Sequence, residues 1–284
     1  MVSDFVDEYN GLLRLTEEEF ERGKLTYPNL KKKARVLLKY GVESGGYWNS
    51  EKFIKQMEDV IEIVNVKYPK DYYNVFWFFD HSSGHTAFAE DALNVNRMNV
   101  RPGGAQPRMR DTYYNGRLQR MVFSDGTPKG MKQVLEERGV NVSKMKAEDM
   151  REKLQNMPDF KYEKTKVETL LFNNGYKGYL IPKFHCELNP IERVWAQSKK
   201  YSRVNCDYSF KGLEETIEPA LESVSLNSIH KFFRKMRDHL RAYREGITIG
   251  PLMDAALKKY KSHHKIHEDN RDYINTHLNG EKNK

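Results

Sequence analysis

The 284 residues suffice for one large domain with an insertion, or for two domains, around a sizeable core. With 38% hydrophobic and 31% charged residues, no apolar run of membrane-spanning length and no secretory signal, the composition argues against a membrane or secreted protein and for an intracellular globular one. A net charge of +8 and a pI near 9.2 favour an anionic partner, nucleic acid ahead of membrane, and the two cysteines, Cys186 and Cys206, are too few for a disulfide framework and too isolated for a zinc knuckle.

In chain order, residues 1–6 read as a short apolar strand with Asp4 inside it, and residues 12–15 as a second. Thr16 before Glu17, Glu18 and Glu19 predicts a capped acidic helix start, and residues 31–40 a third strand. Gly45-Gly46 breaks the chain. Ser50 is read as the cap of a helix reaching about residue 66, with Phe53, Ile54, Met57, Ile61, Ile63 and Val64 on its buried side and Pro69 as its stop. Residues 73–79 are an almost unbroken apolar run of strand length, expected at the centre of a sheet with both faces covered. Asp80 closes that strand, where ligand groups of open α/β sheets collect, and Ser82-Ser83-Gly84 leads into an expected helix over 85–93.

Residues 95–175 leave the strand–helix alternation and read as an insertion. Asn115-Gly116, inside the alternating stretch 110–123, marks a two-residue hairpin. Short helices are expected over 130–138, 147–156 and 163–172. The sheet resumes with a strand over 178–181. A Pro-marked turn then leads to a helix with Asn189 at its cap, Pro190 in its first position and Glu192 in its third. Ile191, Val194, Trp195 and Ser198 share the buried face, so Glu192 points off it. Asn-x-x-Glu is also a capping pair, which accounts for Glu192 without chemistry. Amphipathic helices follow over 213–223, 226–244 and 251–261, and residues 262–284 read as a fraying charged end.

Three leading strands followed by alternating helix and strand match a ribonuclease H-like α/β fold. It has a mixed sheet flanked by helices, a helical and hairpin insertion, and a helical C-terminal extension. The division is a catalytic domain over 1–205, with the insertion at 95–175, and an extension over 206–284. On that arrangement Asp4 and Asp80 project from neighbouring strands and Glu192 approaches from a helix. Carboxylates alone suit Mg²⁺ or Mn²⁺, not zinc. Two such ions about 3.5–4 Å apart serve phosphodiester chemistry.

Asp80-His81-Ser82-Ser83-Gly84-His85 resembles the second-aspartate motif of mariner-like DDE transposases, and the stretch 182–195 resembles their third, matching without a gap from Leu188 through Asn189, Pro190 and Ile191 to Glu192. Asp4, in Val2-Ser3-Asp4-Phe5, takes the first-aspartate place. The match covers roughly residues 1–95 and 176–205, less than half of the chain. It implies that Asp4, Asp80 and Glu192 are the catalytic, metal-binding triad of a DNA-cutting and strand-joining enzyme with two Mg²⁺ or Mn²⁺ ions. It also implies double-stranded DNA as partner (transposon ends and target), no membrane, a place in the nucleus or nucleoid, and room for a homodimer. The 95–175 insertion lengthens the usual Asp-to-Glu spacing, and His185-Cys186 replaces the common serine-proline. The family carries a helix-turn-helix region ahead of its first aspartate, whereas Met1 stands just before Asp4. A separate DNA-reading domain or chain, or a truncated or domesticated copy that binds DNA without cutting it, follows from that difference. A ribonuclease H-like nuclease acting on RNA or hybrids is a third reading, which the Leu188–Glu192 motif opposes.

Arg97, Arg101, Arg108, Arg110, Arg117 and Arg120 accompany a single acid, Asp111, along a Gly/Pro loop and hairpin, and are candidates for gripping phosphates beside the active site. Arg193, Lys199, Lys200 and Arg203 ride the Glu192 helix and are placed to follow the same backbone. The basic cluster at 258–265 reads as frayed tail. His81 is an auxiliary candidate toward substrate or a metal-bound water, and His85 is expected to cap or pack. Glu43 and Asp91 read as surface acids, and Trp48, Trp77 and Trp195 as core.

Overall fold

The computed structural model describes residues 1–39, 46–248 and 250–261; Glu43 and residues 262–284 lie outside them. The opening strands form where the sequence expects them, but each is short. β1 (Val2–Ser3) pairs antiparallel with β4 (Val36–Leu37), and β2 (Val6–Asp7) with β3 (Gly11–Leu12). Backbone bonds extend this meander: Leu13 N–H donates to Phe5 O, Leu15 N–H to Lys32 O and Ala34 N–H to Leu13 O. The first strand therefore changes partner at Asp4. Helix α1 (Glu17–Lys24) begins at the expected Thr16 cap, which the structure completes as a capping box, Thr16 and Glu19 each accepting the other's backbone N–H.

Helix α2 (Ser50–Lys67) starts one residue earlier than read, because Asn49 Oδ1 accepts the Lys52 N–H and takes the cap from Ser50. Its buried face meets Leu13, Leu15, Trp77 and Phe79 in the main core. Gln56 is buried on that face. Its Nε2 donates to Ala34 O at 2.7 Å and Ser3 O at 3.2 Å, and its Oε1 accepts from Ser3 Oγ at 2.7 Å. A fully used buried amide stabilises the docking of α2 on the first strands, since an unmet one would be costly.

β5 (Phe76–Phe79) runs parallel to β8 (Lys177–Leu180), Phe76 opposite Lys177 and Phe79 opposite Leu180. The expectation of a central strand covered on both faces is corrected here. Trp77 and Phe79 are buried, but Phe76 and Phe78 are 54% and 65% exposed, and among the described residues β8 is the one strand that pairs with β5. An unbroken apolar run does not distinguish a covered strand from one whose outer face borders a cleft. Tyr179 on β8 contacts both Phe76 and Phe78 on that outer face.

The insertion builds its own core. The hairpin β6 (Thr112–Tyr114) and β7 (Arg117–Gln119) turns through Asn115 and Gly116, both at positive φ (49° and 75°), as the Asn-Gly signal requires. With α3 (Met131–Glu137), α4 (Ala147–Gln155) and the short α5 (Pro158–Lys161) it encloses a methionine-rich cluster running from Leu93 to Phe160. Arg138 pins the hairpin side to α5, pairing with both Asp159 oxygens at 3.0 and 2.7 Å under the Tyr114 ring. Helix α6 (Lys166–Asn173), capped by Thr165 with Glu168, begins later than the 163–172 reading. It sends Val167 and Leu171 into the main core beside the sheet.

Helices α7 (Pro190–Asn205), α8 (Phe210–Glu222) and α9 (Leu226–Arg244) pack directly on the first strands, sharing a core of Leu12, Val194, Leu221, Val224 and Ile229. Charge guides this docking. Glu218 and Glu222 on α8 face Arg14, Lys33 and Arg35, with Lys33–Glu218 at 3.0 Å and Arg35–Glu222 at 3.4 Å; Glu214 meets Lys39 at 2.7 Å. Helix α10 (Gly250–Lys261) packs on α9 through Met253 and Ala256. No described helix is long and apolar enough to cross a membrane.

Candidate active site

Because β5 and β8 are parallel, their carboxyl ends lie together. Asp80 follows β5 directly. The chain leaving β8 turns through Pro182 and the 3-10 turn Cys186–Leu188 into α7, whose first turn carries Glu192. Asp4, Asp80 and Glu192 all line one cleft of about 730 Å³, bounded by residues 1–8, the outer face of β5, the start of α7 and the α9 side chains Phe233, Met236 and Leu240. The three acids share this cleft without converging. Among the described residues, no group of three His, Cys, Asp or Glu side chains is placed to hold one ion.

Asp80 is the best-oriented of the three. Its Oδ1 accepts the Ser82 N–H at 3.0 Å and meets His85 Nδ1 at 2.7 Å, while Oδ2 receives neither bond. The bond from His85, outweighing partial burial and joined by the Ser82 N–H, pulls the Asp80 carboxyl down to about 2. It is a carboxylate at any ordinary pH. These bonds also explain why the expected helix over 85–93 does not form. His85 folds back on Asp80, its N–H and that of Thr86 both reach Ser82 O at 3.1 Å, and the chain makes turns instead.

Glu192 is exposed, and its carboxylate makes no hydrogen bond or ion pair with any described residue. The capping explanation for it is not realised: Asn189 makes no side-chain cap bond, and α7 starts on Pro190 with the Glu192 N–H reaching Asn189 O at 3.2 Å. A free carboxylate at a helix N-terminus is electrostatically favoured there and available to a cation.

Asp4 is held differently. Its side chain is 1% exposed, Oδ2 accepts from Arg35 Nε at 2.7 Å, and Oδ1 accepts the Phe5 N–H at 2.8 Å. Burial pushes the Asp4 carboxyl above its ordinary range in spite of Arg35. Arg35 is itself buried, and the bond and charge of Asp4 outweigh that burial to raise it. The first acid is thus locked into an ion pair, while the second and third are open.

The six insertion arginines are all exposed, and none lines the cleft. Arg97, Arg101, Arg108, Arg117 and Arg120 have no ion-pair partner among the described residues; Arg110 differs, gripping both Glu163 oxygens at 2.6 Å. On α7, Lys199 and Lys200 are exposed, whereas Arg193 is half-buried with its Nε enclosed and unbonded. His81 is exposed and stands outside the cleft wall; His85 occupies it instead. His85 packs as expected, its ring 4.3 Å from that of Phe53 and 5.4 Å from that of Phe79. Sequence reasoning missed its second contact, with Asp80, and missed Arg35 altogether. A histidine five residues after an acid was the available signal for the first; nothing local marks the second.

No family model, curated protein or solved structure matches this chain.

Proposed function

We propose that this chain is a DDE-type, divalent-metal-dependent DNA endonuclease and strand transferase core on a ribonuclease H-like sheet. The observation that carries the reading is the parallel β5–β8 pairing: Asp80 and Glu192 follow adjacent strand ends on one cleft that Asp4 also lines. The donors fit a hard cation. Asp80 Oδ2 and the Glu192 carboxylate are free, and Mg²⁺ is commonly held by one or two carboxylates with substrate oxygens completing its shell. Asp80 and Glu192 would hold Mg²⁺ or Mn²⁺, and Asp4 would join them for a second ion when its pair with Arg35 opens. The chemistry such ions would supply there is polarisation of a phosphodiester and activation of a water or 3′-hydroxyl.

The chain's own groups do the rest. Ser82 and His85 fix the Asp80 carboxylate. The unpaired insertion arginines, with Lys199 and Lys200, bind the phosphates of double-stranded DNA, the transposon ends and target of this reading. A homodimer, a separate DNA-reading domain or chain, and a place in the nucleus or nucleoid belong to the same reading. The locked Asp4–Arg35 pair favours a second one, a domesticated remnant that holds DNA without cutting it.

Incubation with supercoiled plasmid separates the two. The nuclease reading expects open-circle product that requires Mn²⁺ or Mg²⁺ and stops with EDTA. Salt-sensitive plasmid binding with no nicking under any divalent ion is the result of the remnant.

A further inference from the structure

We propose that His85 is a positioning residue for Asp80, donating from Nδ1 to aim the second carboxylate of the site. The inference rests on the reading of Asp80 as a metal ligand. A carboxylate only accepts, so at 2.7 Å the proton of this bond lies on Nδ1. The Asp80 backbone carbonyl, 3.2 Å from the same nitrogen, faces it too. The ring is held in turn. Phe53, one of the most deeply buried side chains of α2, lies 4.3 Å away and Phe79 5.4 Å away, so the imidazole has packed aromatic neighbours fixing its plane. With Ser82 N–H on the same oxygen, rotation of the Asp80 carboxylate is stopped, and Oδ2 is presented without a competing bond. A partner that orients a ligating side chain contributes as metals see it: its loss typically costs about 10–100-fold in affinity.

The test is Mn²⁺ alone, titrated into the full chain with free Mn²⁺ followed by electron paramagnetic resonance. His85→Phe keeps an aromatic ring beside Phe53 and Phe79 but removes the donor; His85→Asn returns a donor near the Nδ1 position; His85→Ala removes both. Expected is a Kd raised at least about tenfold in His85→Phe and His85→Ala, with His85→Asn within about threefold of the wild type. Near-UV circular dichroism checks folding, and should His85→Ala fail it, the Phe and Asn variants carry the comparison. Wild-type affinity in His85→Phe, alongside loss of binding in Asp80→Ala, overturns the positioning role and leaves the metal site standing. Mn²⁺ binding that Asp80→Ala leaves unchanged overturns the metal reading of Asp80, and this inference with it.

Discussion

Replacing Arg35 by Met is expected to cost about 3–5 kcal/mol of folding stability, the usual result of removing one member of a buried ion pair. Asp4 and Arg35 are 1% and 4% exposed, so the remaining carboxylate would have no water to turn to and one backbone N–H for company. The loss is not simply the pair's worth. Asp4→Leu combined with Arg35→Met removes both charges and should recover most of the stability, a double-mutant cycle with strong coupling. The pH dependence has a definite sign. Burial raises Asp4 in the folded state, so its contribution is fully present below its unfolded value near 3.8 and declines as pH rises through the folded one. Arg35→Met raises Asp4 further, which makes that decline larger. The variant should therefore lie closer to the wild type at pH 4 than at pH 8 in urea unfolding; an equal deficit at both would contradict the assignment of a buried, charged Asp4.

Changing Arg97, Arg101, Arg108, Arg117 and Arg120 together to Gln should greatly weaken DNA binding, leaving the salt-sensitive part that Lys199 and Lys200 supply. Each phosphate contact contributes about 0.9 to the slope of log K against log salt, so the magnitude of the slope should fall by about 4 to 5 if all five reach phosphates. Arg110→Gln serves as the internal comparison. It is committed to Glu163, so it should loosen the insertion and leave the salt slope nearly unchanged. A quintuple variant with the wild-type slope would make these arginines a solvated surface and nothing more.

What could be read from the sequence and what could not divides along physical lines. Local chemistry was legible: the Thr16 cap, the Asn115-Gly116 turn, the buried stripe of α2, the amphipathic spacing of α9, and Pro190 opening the helix that carries Glu192. Each is fixed by residues a few positions apart. Pairings across the chain were not. The Asp4–Arg35 bond joins the link between β1 and β2 to the residue just before β4, and α8 finds its place by matching Glu218 and Glu222 to Lys33 and Arg35, which no periodicity announces. The stretch after Asp80 looked helical by composition, but His85 spends its ring on Asp80 and the backbone follows. Likewise the apolar run ending in Phe79 was rightly a strand, and wrongly one covered on both faces, because hydrophobicity alone does not tell a packed face from a cleft wall.

In the proposed function, Asp80 and Glu192 together perform metal-dependent phosphodiester chemistry. Plasmid-nicking rates in Mn²⁺ for the wild type, Asp80→Ala and Glu192→Gln, purified identically, test it most directly. Rates at least about 10³-fold lower are expected in both variants, a loss of about 4 kcal/mol in transition-state stabilisation, with DNA affinity retained. Nicking at the wild-type rate in either variant would contradict it.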